Sequence, residues 1–368
     1  MNRLHEIEAL GQAVWLDNIS RQLLDGGTLR QLIEEDGLSG VTSNPTIFEK
    51  AMGDSDRYDD AFREAVSETQ DPQEIFLRLA SADIRDGADL LAPVYERTDG
   101  QDGYISFELP PDMAFDTERS IEAGQRIRDE LDRPNVLIKV PGTPEGVPAF
   151  EELTAAGVSV NVTLLFSVGR YEEIAEAYVR GLERRAERGE PIDRIASVAS
   201  FFVSRVDGKI DAALEEHGRE DLRGRAAVAN AKIAYESFGR IFSGPRWEAL
   251  AAKGANVQRP LWASTSTKNP DYPDTLYVDE LIGPDTVNTM PDATLEAARD
   301  HATAERTVDR DVEAAHAVMD EIRAAGVDVE DIVGVQLVQE GVQSFAKSFD
   351  SLMETIAGKA SELAPTAR

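Results

Sequence analysis

Short apolar runs rich in β-branched residues alternate along this chain with longer stretches in which apolar residues recur every three or four positions. The first pattern predicts strands and the second amphipathic helices. Strands are expected at Ala13–Asp17, Gly40–Asn44, Tyr104–Leu109, Asn135–Val140, Val158–Leu164, Ile195–Phe201, Pro260–Ser264 and Thr286–Thr289. Helices are expected between them at Ser20–Asp36, Pro72–Leu91, Thr117–Leu131, Pro144–Ala156, Gly169–Arg188, Val206–Glu216 and Leu222–Phe242. Three more follow at Leu295–Arg299, Thr307–Ala325 and Gln339–Ala357. Strands separated by crossover-length helices imply a parallel sheet. Eight of them favour a closed barrel over an open doubly wound sheet. The open sheet usually announces itself with a Gly-rich phosphate loop, and neither GxGxxG after the first strand nor GxxxxGK[ST] occurs. The expected fold is therefore α/β, a single (β/α)8 TIM barrel with additional helices. Glu96–Gly103 and Thr265–Asp274 read as loops. No internal repeat or interdomain linker interrupts the pattern, so residues 1–368 are expected to form one domain.

In such a barrel the working side chains stand at the C-terminal ends of strands. The search is therefore for polar groups near the ends of apolar runs. Lys139 is the clearest, embedded in Asn135-Val136-Leu137-Ile138-Lys139-Val140. A lysine in a buried strand is costly unless paired or neutralised, and a neutral amine attacks carbonyls. The bland alternative is a lysine that snorkels or pairs with a carboxylate. Asn161 and Thr163 share one face of the fifth strand, opposite Val162 and Leu164. They either line a polar site or satisfy each other. Asp17 ends the first strand, where a helix cap is the alternative role. Glu108 ends the third, where a solvated carboxylate is the alternative. Thr42-Ser43-Asn44-Pro45 ends the second, where a turn would also suit. Ser200 lies near the end of the sixth strand, with Arg205 after it at the start of a helix. Ser266 and Lys268 fall in the loop after the seventh. Hydroxyl and cationic groups in late βα loops resemble a barrel phosphate site, although each alone reads as surface polarity. Together these strand ends fit carbonyl chemistry with acid–base help.

Composition narrows the chemistry further. Hydrophobic residues make up 42% and charged residues 29%, enough for a sizeable core. There are no cysteines, which excludes disulfides, thiolate nucleophiles and Cys-based metal sites. The four histidines form no HExxH-like pair, and His301 and His316 read as surface residues. No metal site is expected. No run is long and apolar enough for a membrane span, and the first ten residues show no apolar signal core, so a cytoplasmic protein with no membrane partner is expected. The net charge of −31 shows no basic face for nucleic acid. Lysine is scarce, with eight residues, and arginine supplies most of the positive charge. A salt-rich cytoplasm would favour such a surface, because salt screens repulsion among carboxylates. A genome bias towards arginine is the other reading, but it leaves the acid excess unexplained.

Over nearly its whole length the sequence resembles the transaldolase family. The resemblance is carried by Trp15-Leu16-Asp17-Asn18, Gly40-Val41-Thr42-Ser43-Asn44-Pro45, Leu137-Ile138-Lys139-Val140-Pro141 and Val160-Asn161-Val162-Thr163-Leu164-Leu165-Phe166-Ser167. Ser200-Phe201-Phe202-Val203-Ser204-Arg205 and Ser266-Thr267-Lys268-Asn269 add to it, and Glu340-Gly341-Val342-Gln343-Ser344-Phe345 matches the longer-chain branch. The resemblance implies that Lys139 forms a Schiff base and that Asp17 carries the proton during carbon–carbon cleavage and formation. Glu108 and Thr163 would hold the water of imine formation and hydrolysis. Asn44 and Asn161 would bind substrate hydroxyls, with Ser200 near the ketol end, and Arg205, Ser266 and Lys268 would bind phosphate. The implied reaction moves a dihydroxyacetone unit from sedoheptulose 7-phosphate to glyceraldehyde 3-phosphate. The implied partners are sugar phosphates, no cofactor is implied, and a monomer or homodimer is expected.

Three positions depart from the family's usual pattern: Leu109-Pro110-Pro111 follows Glu108, Lys268 stands where many members have arginine, and Ser204 where many have glycine. Lysine lacks the bidentate fork of arginine, so the second change bears on phosphate affinity. Two rivals use the same residues. One is an aldolase that releases free dihydroxyacetone from fructose 6-phosphate, and the other is a barrel that binds sugar phosphates without turning them over.

Overall fold

The computed structural model describes residues 2–53 and 55–363. Its centre is a closed barrel of eight parallel strands in sequential order. They are β1 (Gln12–Leu16), β2 (Gly40–Thr42), β3 (Tyr104–Glu108), β4 (Val136–Pro141), β5 (Val160–Leu165), β6 (Ser197–Phe202), β7 (Gln258–Ala263) and β8 (Thr286–Met290). β1 closes on β8 through Gln12 to Leu16 against Thr286 to Met290. The strands form where the sequence predicts them because each is a short, largely apolar run, rich in β-branched or aromatic residues. Nearly every residue in them is buried, as a parallel sheet covered by helices requires.

Register fixes which side chains share the interior. Partnered residues of adjacent parallel strands point to the same side, and alternate residues repeat it. Glu108 pairs with Lys139, and Lys139 with Asn161. Trp15 pairs with both Gly40 and Thr289, and Thr42 with Ser106. The interior therefore has an aromatic base and a polar upper part. Trp15 is fully buried, and its indole nitrogen donates to Asp102 at 2.9 Å.

The outer helices depart from expectation at several points, two of them set by glycine. The single helix expected over Ser20–Asp36 is two helices, Arg21–Asp25 and Thr28–Glu35. Gly26-Gly27 separates them, and Gly27 adopts φ +78°, which no helix contains. Gly224, at φ +71°, likewise splits the stretch expected as Leu222–Phe242, so the helix runs only over Ala226–Ile241. The helix from Pro72 continues to Arg97 past Pro93 instead of ending at Leu91. Thr307 does not begin a helix. Its hydroxyl donates to the Asp279 carbonyl at 2.7 Å, and the helix starts at Val312. The last helix is longer than expected, Leu337–Leu363, and packs on helices Pro45–Gly53 and Pro72–Arg97. Among the described residues no helix is long and apolar enough to cross a membrane, and no cluster of His, Asp and Glu is arranged to hold a metal.

Candidate active site

Lys139 is 5% exposed at the C-terminal end of β4. Its amine donates to Glu108 Oε2 at 3.0 Å and to the Ser43 carbonyl at 2.8 Å. The first bond follows from register, since Glu108 is the partner of Lys139 across the β3–β4 pair. Burial pushes the Glu108 carboxyl above its ordinary range, and the Lys139 charge offsets only part of that rise. Each of these two groups is costly to bury alone, and the bond between them offsets part of that cost.

Asp17 follows β1, and its N–H extends the ladder to the Met290 carbonyl at 2.8 Å. Thr42 Oγ1 donates to Asp17 Oδ1 at 2.7 Å and meets Thr289 Oγ1 at 2.6 Å. Burial raises the Asp17 carboxyl, while Lys139 and the Thr42 hydrogen bond lower it. Arg205 is the second residue of helix Ser204–Glu216, with its guanidinium 5.1 Å from the centre of the Phe202 ring. Burial lowers the Arg205 pKa, and Asp17 and Glu108 hold it up. The acids and this cation thus support one another's charge.

A cavity of about 190 Å³ opens at this end of the barrel, lined by Asp17, Asn44, Lys139, Thr163, Ser200, Arg205, Ser266 and Lys268. Arg205, Asp17 and Asn44 also line a wider adjoining cleft of about 550 Å³. Of the ten residues singled out in the sequence, eight therefore meet around one space. Glu108 and Asn161 stand behind the wall. Glu108 reaches the cavity through Lys139. Asn161 is fully buried, donating to Ser106 Oγ at 3.0 Å and accepting from Ser200 Oγ at 2.7 Å. Asn44 accepts the Ile47 N–H at 3.0 Å, so it performs the turn role as well. Lys268 donates to Ser266 Oγ at 2.9 Å. The Thr163 hydroxyl is buried without a hydrogen-bond partner.

Sequence reasoning passed over Thr289, Ser106 and Phe345. Thr289 was findable by the strand-end rule, and Ser106 by its place two residues before Glu108. Phe345 lines both cavities but comes from the last helix, where it reads as ordinary apolar face. His301 and His316 are exposed, as expected.

A buried amine with a carboxylate at hydrogen-bond distance suits nucleophilic attack on a carbonyl, and cations at the rim suit an anionic tail on the same molecule. Fold and mouth together define a barrel enzyme of carbonyl chemistry. Residues 14–356 match the family model described as Transaldolase/Fructose-6-phosphate aldolase. A transaldolase of Trichodesmium erythraeum is 46% identical over 376 residues, covering 99% of each chain. One of Thiobacillus denitrificans is 48% identical over 359 residues, covering 97% of this chain and all of its own. One of Thermobifida fusca is 47% identical over 358 residues, covering 96% of this chain and 97% of its own. The chain belongs to the transaldolase/fructose-6-phosphate aldolase family.

Proposed function

We propose that this chain is a Schiff-base transaldolase that moves a dihydroxyacetone unit from sedoheptulose 7-phosphate to glyceraldehyde 3-phosphate, giving erythrose 4-phosphate and fructose 6-phosphate. This is the exchange of the non-oxidative pentose phosphate pathway. The observation that carries the reading is Lys139: a strand lysine, almost fully buried, with its amine 3.0 Å from a carboxylate and on the wall of the cavity.

Glu108 takes the ammonium proton, and the neutral Lys139 amine adds to the ketose carbonyl. Loss of water from the carbinolamine leaves an iminium. Thr163, whose hydroxyl has no protein partner, and Glu108 hold that water. The iminium draws electrons from the C3–C4 bond. Asp17 accepts the C4 hydroxyl proton as the bond breaks, and the shorter aldose phosphate leaves. An enamine remains on Lys139. The acceptor aldehyde captures it, Asp17 returns its proton to the new alkoxide, and water hydrolyses the imine. The iminium is itself the electron sink, so the chemistry calls for no metal or organic cofactor. A carboxylate beside an iminium in an enclosed pocket stabilises the charge that develops there. Asn44 and Asn161 hold substrate hydroxyls, with Asn161 acting through Ser200, and Arg205, Ser266 and Lys268 hold the phosphate. We place the enzyme in the cytoplasm with its sugar-phosphate substrates, as one domain and as a monomer or homodimer.

The test is a mixture of the protein with fructose 6-phosphate and erythrose 4-phosphate, in low and high salt. Sedoheptulose 7-phosphate that forms only with both substrates supports the reading. Free dihydroxyacetone without an acceptor would point to an aldolase instead. Borohydride with fructose 6-phosphate should attach a reduced adduct at Lys139. Lys139→Ala should abolish both adduct and turnover, and an unchanged rate would remove the Schiff base from the mechanism.

A further inference from the structure

The proposed phosphate end is made by two separate segments. Arg205 lies in the first turn of helix Ser204–Glu216, and Ser266 and Lys268 belong to the irregular loop between β7 and the short helix Leu276–Asp279. Near β7 the two segments are stitched by backbone. Val203 and Ser204 donate to the carbonyls of Ala263 and Ser264 at 2.9 and 3.0 Å. Beyond Lys268 the loop has no ladder to hold it. Two tyrosines do so instead, and both reach the helix that carries Arg205.

Tyr272 donates its hydroxyl to Asp211 Oδ2 at 2.6 Å, and Tyr277 donates to Asp207 Oδ2 at 2.8 Å. Asp207 and Asp211 stand one turn apart on one face of the helix, and both are buried. Each carboxylate is fixed from its other oxygen by backbone. Asp211 Oδ1 accepts the Gly224 N–H at 2.9 Å, and Asp207 Oδ1 accepts the Ala227 N–H at 2.7 Å. Gly224 is the close approach that lets Tyr272 in. It sits at φ +71°, and a Cβ there would stand 2.8 Å from the tyrosine ring. Buried carboxylates are expensive, and four convergent hydrogen bonds on two of them make a rigid joint. None of these four side chains lines the cavity. The catalytic steps leave them without a role.

We infer that Asp207 and Asp211, through Tyr277 and Tyr272, are positioning residues that set the spacing between Arg205 and the Ser266–Lys268 pair, and so the affinity for the phosphate of the substrates. The inference rests on the proposed phosphate role of those three groups. Lys268 gives it particular weight. A lysine makes a point contact instead of the bidentate grip of arginine, so its contribution depends on where the loop holds it.

The test uses the full chain with Tyr272→Phe, which removes one hydroxyl and keeps the ring. KM for fructose 6-phosphate and the inhibition constant of inorganic phosphate should rise together, by about five- to tenfold, the scale of one typical net hydrogen bond. kcat should stay within about twofold, because no reacting atom is touched. Borohydride trapping of unphosphorylated fructose on Lys139 should be unchanged. Arg205→Ala is the reference. If it leaves the phosphate inhibition constant where it was, the phosphate reading itself fails. If it raises that constant while Tyr272→Phe does not, the joint has no part in phosphate affinity and the inference is overturned. It is equally overturned if Tyr272→Phe weakens phosphorylated and unphosphorylated substrates alike. Should Tyr272→Phe not fold, Asp211→Asn is measured in its place, with the same two results deciding.

Discussion

A threonine hydroxyl with no partner in a buried wall is normally a cost of about 1–3 kcal/mol. Thr163 carries that cost beside the proposed imine, which is the expected position for a group whose partner is a transient water. Thr163→Val keeps the shape and removes the hydroxyl. We expect kcat to fall by roughly a hundredfold, the lower end of the range for loss of general acid–base assistance, with thermal stability unchanged or raised. A stable variant at full rate would take Thr163 out of the water step. Asp83 is a buried acid of a different kind. It accepts from Tyr58 at 2.6 Å and from Arg21 at 3.1 Å, yet burial still drives its pKa up to about 6. The folded state therefore holds this proton more tightly than the unfolded chain does. Its contribution to stability is fully present below the ordinary carboxylate pKa and is lost as pH rises through about 6. The unfolding free energy of the wild type relative to Asp83→Asn should thus rise by roughly 1 kcal/mol on going from pH 7 to pH 5. Urea unfolding of both proteins at both pH values measures it, and a difference that shrinks in acid would mean that Arg21 outweighs burial.

Elements that alternate strictly were legible in the sequence, and elements shaped by a distant partner were not. All eight strands lie where short apolar runs predict them. Their register also brings Glu108, Lys139 and Asn161 to one level. The fifth strand shows where the pattern stops. Simple alternation puts Leu164 opposite Thr163 and continues the strand. In the structure the register shifts between Val162 and Leu165, and Leu164 takes φ +59°. A left-handed leucine is strained by about 1–2 kcal/mol. Its side chain meets the last helix so closely that a Cβ on Gly341 would lie 2.8 Å from Leu164 Cδ2. Nothing local to β5 announces that contact. The Asp207–Tyr277 and Asp211–Tyr272 pairs were hidden for the same reason, since each joins residues far apart in the chain. The glycine of β2 was legible as part of a motif but not as a packing device. Gly40 faces Trp15 across the β1–β2 register, and any Cβ on it would stand inside the indole. Gly40→Ala should therefore destabilise the fold by about 1–3 kcal/mol, the usual cost of overpacking, read as a lower urea midpoint with an unchanged slope. An unshifted midpoint would show that Trp15 has room to move.

At the scale of the whole molecule the acid excess leads to a prediction about salt. Many arginines at the surface are taken up in local pairs and forks. Arg246 bonds Glu176 at 2.7 Å and Glu183 at 2.7 and 2.9 Å, and Arg184 bonds Glu152 at 2.7 and 3.0 Å. These contacts are shorter than or close to the screening length even in strong salt, which is about 10 Å at 0.1 M and about 3 Å at 1 M. Each is exposed and contributes only about 0–1 kcal/mol. The carboxylates left over make up the net charge of −31, and their repulsion acts across the surface over distances well beyond that length. Added salt therefore removes more repulsion than attraction. The melting temperature should rise with sodium chloride between about 0.05 and 1 M, by on the order of 5 °C, since a gain of 1–2 kcal/mol moves a chain of this size by a few degrees. Activity lost at low salt should return with it, because the cavity shares the fold's stability and the anionic substrates meet less repulsion on approach. A melting temperature indifferent to salt would mean that the excess carboxylates are too far apart to matter, and the acidic composition would then have to be explained without salt adaptation.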